Sequence, residues 1–219
     1  MMNDARFRAS AKLLGVELSE TQLSQFNQYE THIKEWSKRV RLVSKKDITF
    51  LRERHFLDSL LILPHLSKAS CHLLDIGSGA GFPGIPVKIA RPDINVILVE
   101  STRKKSLFLR DVIDTLGIQG LDMIQDRAEN LPNNRKGKRS FDIVTARAVG
   151  PLPVLWKMAE PLLNECGRLL AFKGPGSLTE FGEGLPDTLK VTEFESRDPI
   201  QKKQRVIVMI QLDKKRNIT

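Results

Sequence analysis

The chain has 219 residues, 41% hydrophobic and 28% charged, the balance of a soluble globular protein rather than a disordered or membrane-embedded one. Thirty-five Lys and Arg against 26 Asp and Glu give a formal charge of +9, which fits either a polyanionic partner or a basic protein with its charge spread over solvated faces. No run approaches the roughly 18 apolar residues of a membrane helix, and the two cysteines and four histidines show no metal-ligand spacing, so neither a membrane nor a metal is expected.

The opening MMNDARFRAS lacks the apolar core of a secretory signal; reduced thiols and a cytoplasmic location are expected. From about residue 3 to 67 the apolar spacing is helical: Leu13, Leu14 and Leu18, then Leu23, Phe26, Tyr29, Ile33, Trp36 and Val40 at three- and four-residue steps. Ser19 in LSETQL reads as an N-cap before a run of good helix formers. A further helix is predicted over ITFLRERHFLDSLLILPHL, stopping near Pro64. Within it His55 and Asp58 share one face, which reads either as a substrate entrance or as a docking helix with a satisfied histidine.

From Cys71 the rhythm changes. Short apolar runs, CHLLDIG, NVILVE, LDMIQ, FDIVTA and GRLLAFKG, alternate with stretches long enough for a helix each, the pattern of a parallel sheet covered on both faces. The last two β-rich runs, LKVTEFES and RVIVMIQL, are predicted to pair antiparallel. Domain boundaries follow: a helical extension over 1–67 packed on an α/β unit over 68–219.

The stretch LLDIGSGAGFPG closes the first strand and opens a helix at Pro83, which suits a first turn. Gly77, Gly79 and Gly81 therefore fall in the strand-to-helix turn at the carboxyl edge of the sheet, where ligands bind in such folds. Gly79, Gly81 and Gly84 also satisfy a dinucleotide spacing, a weak match by itself. Asp75 before the turn and Glu100 at the tip of the second strand point elsewhere. A carboxylate beneath the turn would repel a pyrophosphate but suits a zwitterionic amino-acid tail or a bound water, and Glu100 can receive both hydroxyls of a ribose. Together they make the pattern of S-adenosylmethionine binding, with tight packing as the alternative use of the glycines.

The segments RHFLDSL, LLDIGSGAGFPGIP, VESTRKKSLFLR, TARAV, LLAFKG and RVIVMI, in that order along nearly the whole chain, resemble the ribosomal small-subunit RNA guanine-N7 methyltransferases, the RsmG or GidB family. The resemblance implies a Rossmann-like class I methyltransferase, with a seven-stranded, mostly parallel sheet whose last strand is antiparallel, plus the N-terminal helical extension. It implies methyl transfer from S-adenosyl-L-methionine to N7 of a guanine, position 527, in 16S ribosomal RNA or the small subunit; a small-molecule methyltransferase on the same scaffold and a noncatalytic RNA-binding assembly factor are the alternatives, and a monomer is expected. One departure stands out: where the family has Asn-Leu-Thr before the RH motif, this chain reads RLVSKKD, with Arg41 in the asparagine's place and Ser44 retained.

Roles carried over residue by residue are as follows. Gly77 and Phe82 flank the methionine and ribose of the cofactor, Glu100 takes the ribose with Ser101 beside it, and Ala128 and Glu129 meet the adenine. Arg147, at the fourth strand tip, holds an anion or a carbonyl: the cofactor carboxylate, an RNA phosphate or guanine O6. Lys173 in AFKGPG is the second substrate-positioning residue. The bland alternatives are a helix cap for Glu129, a salt bridge for Arg147 and a solvated strand end for Lys173. RNA contacts are expected from Arg54, His55, Arg103, Lys104, Lys105, Arg139 and Arg205, with Arg52 and the lysines near 45 adding charge from the N-terminal helices. No Pro-Pro-aromatic turn follows strand four and neither cysteine sits at a strand tip. Both absences argue against amine and cytosine-C5 methylation, whereas guanine N7 carries no proton and needs no general base.

Overall fold

The computed structural model describes residues 2–133, 140–174, 184–197, 200 and 204–213. Seven strands form one sheet: β1 (His72–Ile76), β2 (Asn95–Val99), β3 (Leu121–Ile124), β4 (Phe141–Arg147), β5 (Leu163–Lys173), β6 (Leu189–Arg197) and β7 (Gln204–Leu212). Their order is β3-β2-β1-β4-β5-β7-β6. The first five strands are mutually parallel, and β7 runs antiparallel to both β5 and β6. The order reverses between β1 and β4, the switch point at which a crevice opens beyond the strand tips.

Side-chain alternation along β1 decides what faces what. Leu73 belongs to one core and Leu74 and Ile76 to the other, so Asp75 falls on the Leu73 face. That face packs α4 (Gly84–Ala90), α5 (Arg103–Leu116) and the N-terminal segment; the opposite face packs α6 (Leu152–Ala159). Both faces are covered, which is why the central strands read as continuous apolar runs.

The N-terminal segment opens with α1 (Asp4–Leu13) and α2 (Glu20–Trp36). Ser19 caps α2 as expected: its Oγ accepts from Gln22 N at 3.2 Å while Gln22 Oε1 accepts from Ser19 N at 2.8 Å. Phe7, Phe26, Phe56 and Tyr29 stack in a buried ladder, centroids 5.0–5.3 Å apart along successive pairs, that ends against Phe82 in the glycine turn. Trp36 packs edge-on against Phe108 and Trp156 is buried, so both tryptophans serve the core.

The single helix predicted across Ile48–Leu66 is instead broken into a 3-10 turn (Ile48–Phe50), a wide π-type turn (Arg52–Phe56), the short α3 (Leu57–Leu60) and a second 3-10 turn (Leu63–His65). Arg52 and Arg54, two residues apart, point to opposite sides of this segment. Arg52 goes inward, to Asp4 Oδ1 at 2.7 Å and Glu30 Oε2 at 2.6 Å, while Arg54 and His55 face the crevice. Arg52 is thereby removed from the expected RNA face.

Candidate functional site

Four strand tips meet at the switch point, and the loop after β1 is braced from all sides. Ser78 N donates to Val99 O at 3.0 Å, and Val99 N to Ser78 Oγ at 3.1 Å. Gly79 N donates to Glu100 Oε2 at 3.0 Å, and Thr102 N to Glu100 Oε1 at 2.7 Å. Beneath the turn, Asp75 Oδ2 accepts from Gly84 N and Oδ1 from Thr145 Oγ1, each at 3.1 Å. From the N-terminal side the Tyr29 hydroxyl donates to Ala80 O. Tyr29 is fully buried, which raises its pKa well above the ordinary phenol value, so it stays a donor.

Asp75 differs from the sequence expectation. It is 0% exposed and faces Gly84 and Thr145 rather than the crevice, because β1 alternation turns it under α4. Burial pushes its carboxyl up to about 7. It holds the turn from below and makes no opening towards an ammonium group.

The glycines divide by what they meet. A Cβ on Gly81 would run into the Ile85 side chain and lie 2.8 Å from the Tyr29 hydroxyl; one on Gly84 would strike Leu98 and lie 3.0 Å from Asp75 Oδ2. Those two glycines admit protein. Gly77, at φ +67, is exposed, and a Cβ there would come within 2.9 Å of Val149 Cγ2. It forms the wall of a cavity of about 250 Å³ that is also lined by Val99, Ser101, Asp126, Ala128, Glu129, Val149 and Met158. Gly77, Ser101, Ala128 and Glu129 are thus brought together as expected. Glu100, 6% exposed, sits behind this wall with one backbone donor on each oxygen, and Phe82, 5% exposed, lies under His55 and Arg147.

Sequence reasoning missed Asp126, Val149, Met158 and Tyr29. Asp126 carried the same signal as Glu100, an acid just past a strand. Tyr29 lay on an apolar stripe and read as core; nothing in its spacing announces the hydroxyl contact.

Val149 is shared with a second, more open cleft of about 540 Å³, lined by Arg54, His55, Asp58, Arg147, Phe172, Lys173 and Arg205 among others. Arg147 Nη1 donates to Asp58 Oδ2 at 3.2 Å and Nη2 to His55 Nδ1 at 2.6 Å, and its guanidinium lies 4.8 Å from the Phe82 centroid. Arg205 Nε donates to the other oxygen of Asp58. His55 stacks on Phe82 at 4.8 Å and 11°. Burial first, then the Arg147 charge, lowers its pKa to about 4, so the ring is neutral with Nδ1 accepting and the proton assigned to Nε2. That nitrogen is buried 3.8 Å from Asp47 Oδ2, beyond hydrogen-bond reach. Lys173 Nζ donates to Gly150 O at 2.5 Å, across the mouth of the cleft.

The remaining basic residues divide. Arg103, Lys104 and Lys105 occupy the first turn of α5 and line neither cavity; Arg139 lies outside the described residues. A further cavity, at Glu165, Cys166, Lys190 and Gln211, lies at the opposite end of β5. Among the described residues no helix is long and apolar enough to cross a membrane, and no three His, Cys, Asp or Glu gather as a metal site.

The model of the family described as rRNA small subunit methyltransferase G matches residues 22–207. Proteins named ribosomal RNA small subunit methyltransferase G from Chloroflexus aggregans and Halalkalibacterium halodurans are 44% and 32% identical to this chain. The first alignment covers 73% of this chain and 67% of the relative, the second 97% and 92%. Among solved structures, a SAM-dependent methyltransferase from Aquifex aeolicus superposes with a TM-score of 0.54 at 13% identity, covering 84% of this chain and 98% of that one, a likeness of fold.

Proposed function

The chain belongs to the rRNA small subunit methyltransferase G family, and from that premise we propose that it methylates N7 of a guanine in 16S ribosomal RNA, position 527 by resemblance. The fold is the Rossmann-like methyltransferase fold and the cofactor is S-adenosylmethionine. When bound, this cofactor supplies an electrophilic methyl group on a sulfonium.

The observation that carries the reading is the pair of cavities that meet at Val149. The smaller one suits a nucleoside: Ala128, Val99 and Met158 offer apolar contact to a purine, with Ser101, Asp126 and Glu129 at its polar edge. Gly77 lets the ligand lie against main chain where a Cβ would meet Val149. Glu100 fixes the wall and has a second lone pair on each oxygen for a ribose hydroxyl. Asp75 acts on this ligand through the shape of the turn.

The larger cleft receives the guanine. Arg54, Arg147, Lys173 and Arg205 exceed Asp58 in charge there, which suits an RNA strand. None of its titratable groups stands ready as a base: the neutral His55 spends Nδ1 on Arg147, and Asp58 is bound to two arginines. N7 chemistry asks for no base. Its in-plane lone pair would take the methyl group as the bond to sulfur breaks, the sulfonium leaving as a neutral thioether, and the chain contributes position. Arg147 must then reach O6 or a phosphate and leave N7 open, since the usual arginine fork covers both acceptors. The three cations at the start of α5 oppose the helix dipole, a cost that an RNA phosphate would offset.

Transfer from labelled S-adenosylmethionine to 16S RNA, naked and within small subunits, followed by mapping of the modified base, tests the assignment. Label at one guanine N7 is expected; no incorporation into either form, or label on another atom, defeats it.

A further inference from the structure

We infer that Phe50 and Arg54 form a nucleobase platform at the rim of the larger cleft, taking an unpaired base next to the one that is methylated. The inference rests on the proposed RNA substrate and adds a contact which that proposal does not contain.

Phe50 ends a 3-10 turn and leaves 41% of its surface exposed. The other exposed large hydrophobic residues among the described residues, Leu13, Leu107, Val154 and Leu212, are aliphatic. The guanidinium carbon of Arg54, one helical turn on, lies 4.8 Å from the Phe50 centroid. Arg54 is itself fixed: Nη1 donates to Asp47 Oδ1 at 2.6 Å, and Asp47 Oδ2 accepts from Ser44 Oγ at 2.6 Å. The guanidinium is therefore held beside the ring before any ligand arrives. Arg54 also lines the cleft, so the platform is continuous with the site where the target base enters. Lys45 and Lys46, both exposed, precede Phe50 by five and four residues and add positive charge to this segment.

An exposed aromatic face beside a cation is the arrangement that binds single-stranded nucleic acid, in which each unpaired base offers a π face and each link a phosphate. A regular duplex offers no such face. The geometry thus favours an unpaired strand around the target over a helical stem.

The test uses the full-length protein with Phe50→Leu and Phe50→Trp. Affinity for a naked, unpaired 16S RNA fragment is measured beside cofactor affinity and melting temperature. Phe50→Leu is expected to weaken RNA binding about tenfold, the loss of one stacked base, with the other two quantities unchanged. Phe50→Trp should keep the affinity and show indole quenching by unpaired RNA beyond that of the parent protein, but none by a duplex. Unaltered RNA affinity in Phe50→Leu overturns the platform. So does a defect confined to methylation of assembled subunits with naked-RNA binding intact, which would make the ring a protein contact. If the parent protein transfers no methyl group to RNA while Phe50→Leu still loses RNA affinity, the platform stands and the methylation reading falls.

Discussion

Arg147, at the tip of β4, donates through Nη2 to Nδ1 of His55, 2.6 Å away and 92 residues earlier in the chain. This bond requires a neutral imidazole, which burial and the neighbouring cation guarantee by holding its pKa near 4. With Asp58 on the other amino group and Phe82 beneath, the guanidinium is fixed on three sides. His55→Ala releases one of them. Because a displacement of about 1 Å near the reacting atoms costs roughly 100-fold, transfer should fall towards that extent while cofactor affinity, read by calorimetry, stays put. With Asp75→Asn in the background, which removes the carboxyl that titrates near 7, the rate should show no histidine titration near pH 6.5 and should fall only as the solution approaches the depressed pKa. A rate that tracks an ordinary histidine would remove His55 from this role.

Gly77 and Gly81 look equivalent in sequence and should fail differently. Both have positive φ, +67 and +93, so alanine is strained at either by roughly 1–2 kcal/mol. At Gly81 the added carbon also meets Ile85 and the Tyr29 hydroxyl inside the core, which adds an overpacking penalty of about 1–3 kcal/mol. Gly81→Ala should therefore melt markedly lower. Gly77→Ala meets Val149 in the cavity wall; it should fold and lose cofactor. Thermal melts with and without S-adenosylmethionine separate the two, and equal cofactor stabilisation in Gly77→Ala and the parent would show that this glycine does not face the ligand.

Tyr29→Phe removes one oxygen. The Ala80 carbonyl loses its donor in a buried setting, a loss of about 1–3 kcal/mol. Since Ala80 belongs to the glycine turn, the variant should weaken cofactor binding as well as stability, although Tyr29 lines neither cavity. Reduced stability with unchanged cofactor affinity would confine the residue to packing.

The strands and the glycine turn were legible because apolar alternation and glycine clustering are local signals. Asp75 was read at the strand tip, although the same alternation that sends Leu74 and Ile76 to one face turns Asp75 to the other, beneath Gly84. The segment around Arg52–Phe56 kept a helical apolar pattern while its hydrogen bonds widened to a π-type turn, and no side-chain periodicity reports that change. Sequence adjacency to β2 puts Arg103, Lys104 and Lys105 just past a strand tip; that they form the first turn of α5, outside the lining of both cavities, is visible only in the fold. The Arg147–His55 and Arg205–Asp58 contacts span 92 and 147 residues and exist only once the chain has folded.

The two perturbed groups of the site pull stability in opposite directions with pH. Asp75 titrates near 7 when folded and near 3.8 when unfolded, so between those values the folded state holds a proton the unfolded state releases, and stability falls as pH rises. His55 titrates near 4 when folded and near 6.5 when unfolded, so the unfolded state binds the extra proton and stability rises with pH. Over about pH 4 to 6.5 the two trends offset each other. Asp75→Asn mimics the protonated carboxyl and removes one of them. Relative to the parent, the variant should gain stability steadily from pH 4 to 7, by up to about 4 kcal/mol at 1.36 kcal/mol per pKa unit, while contributions from the surface carboxylates cancel in the difference. Urea midpoints across that range measure the trend. A difference that stays constant with pH would mean that Asp75 is ionised throughout, and that the turn is built around a buried charge rather than a neutral carboxyl.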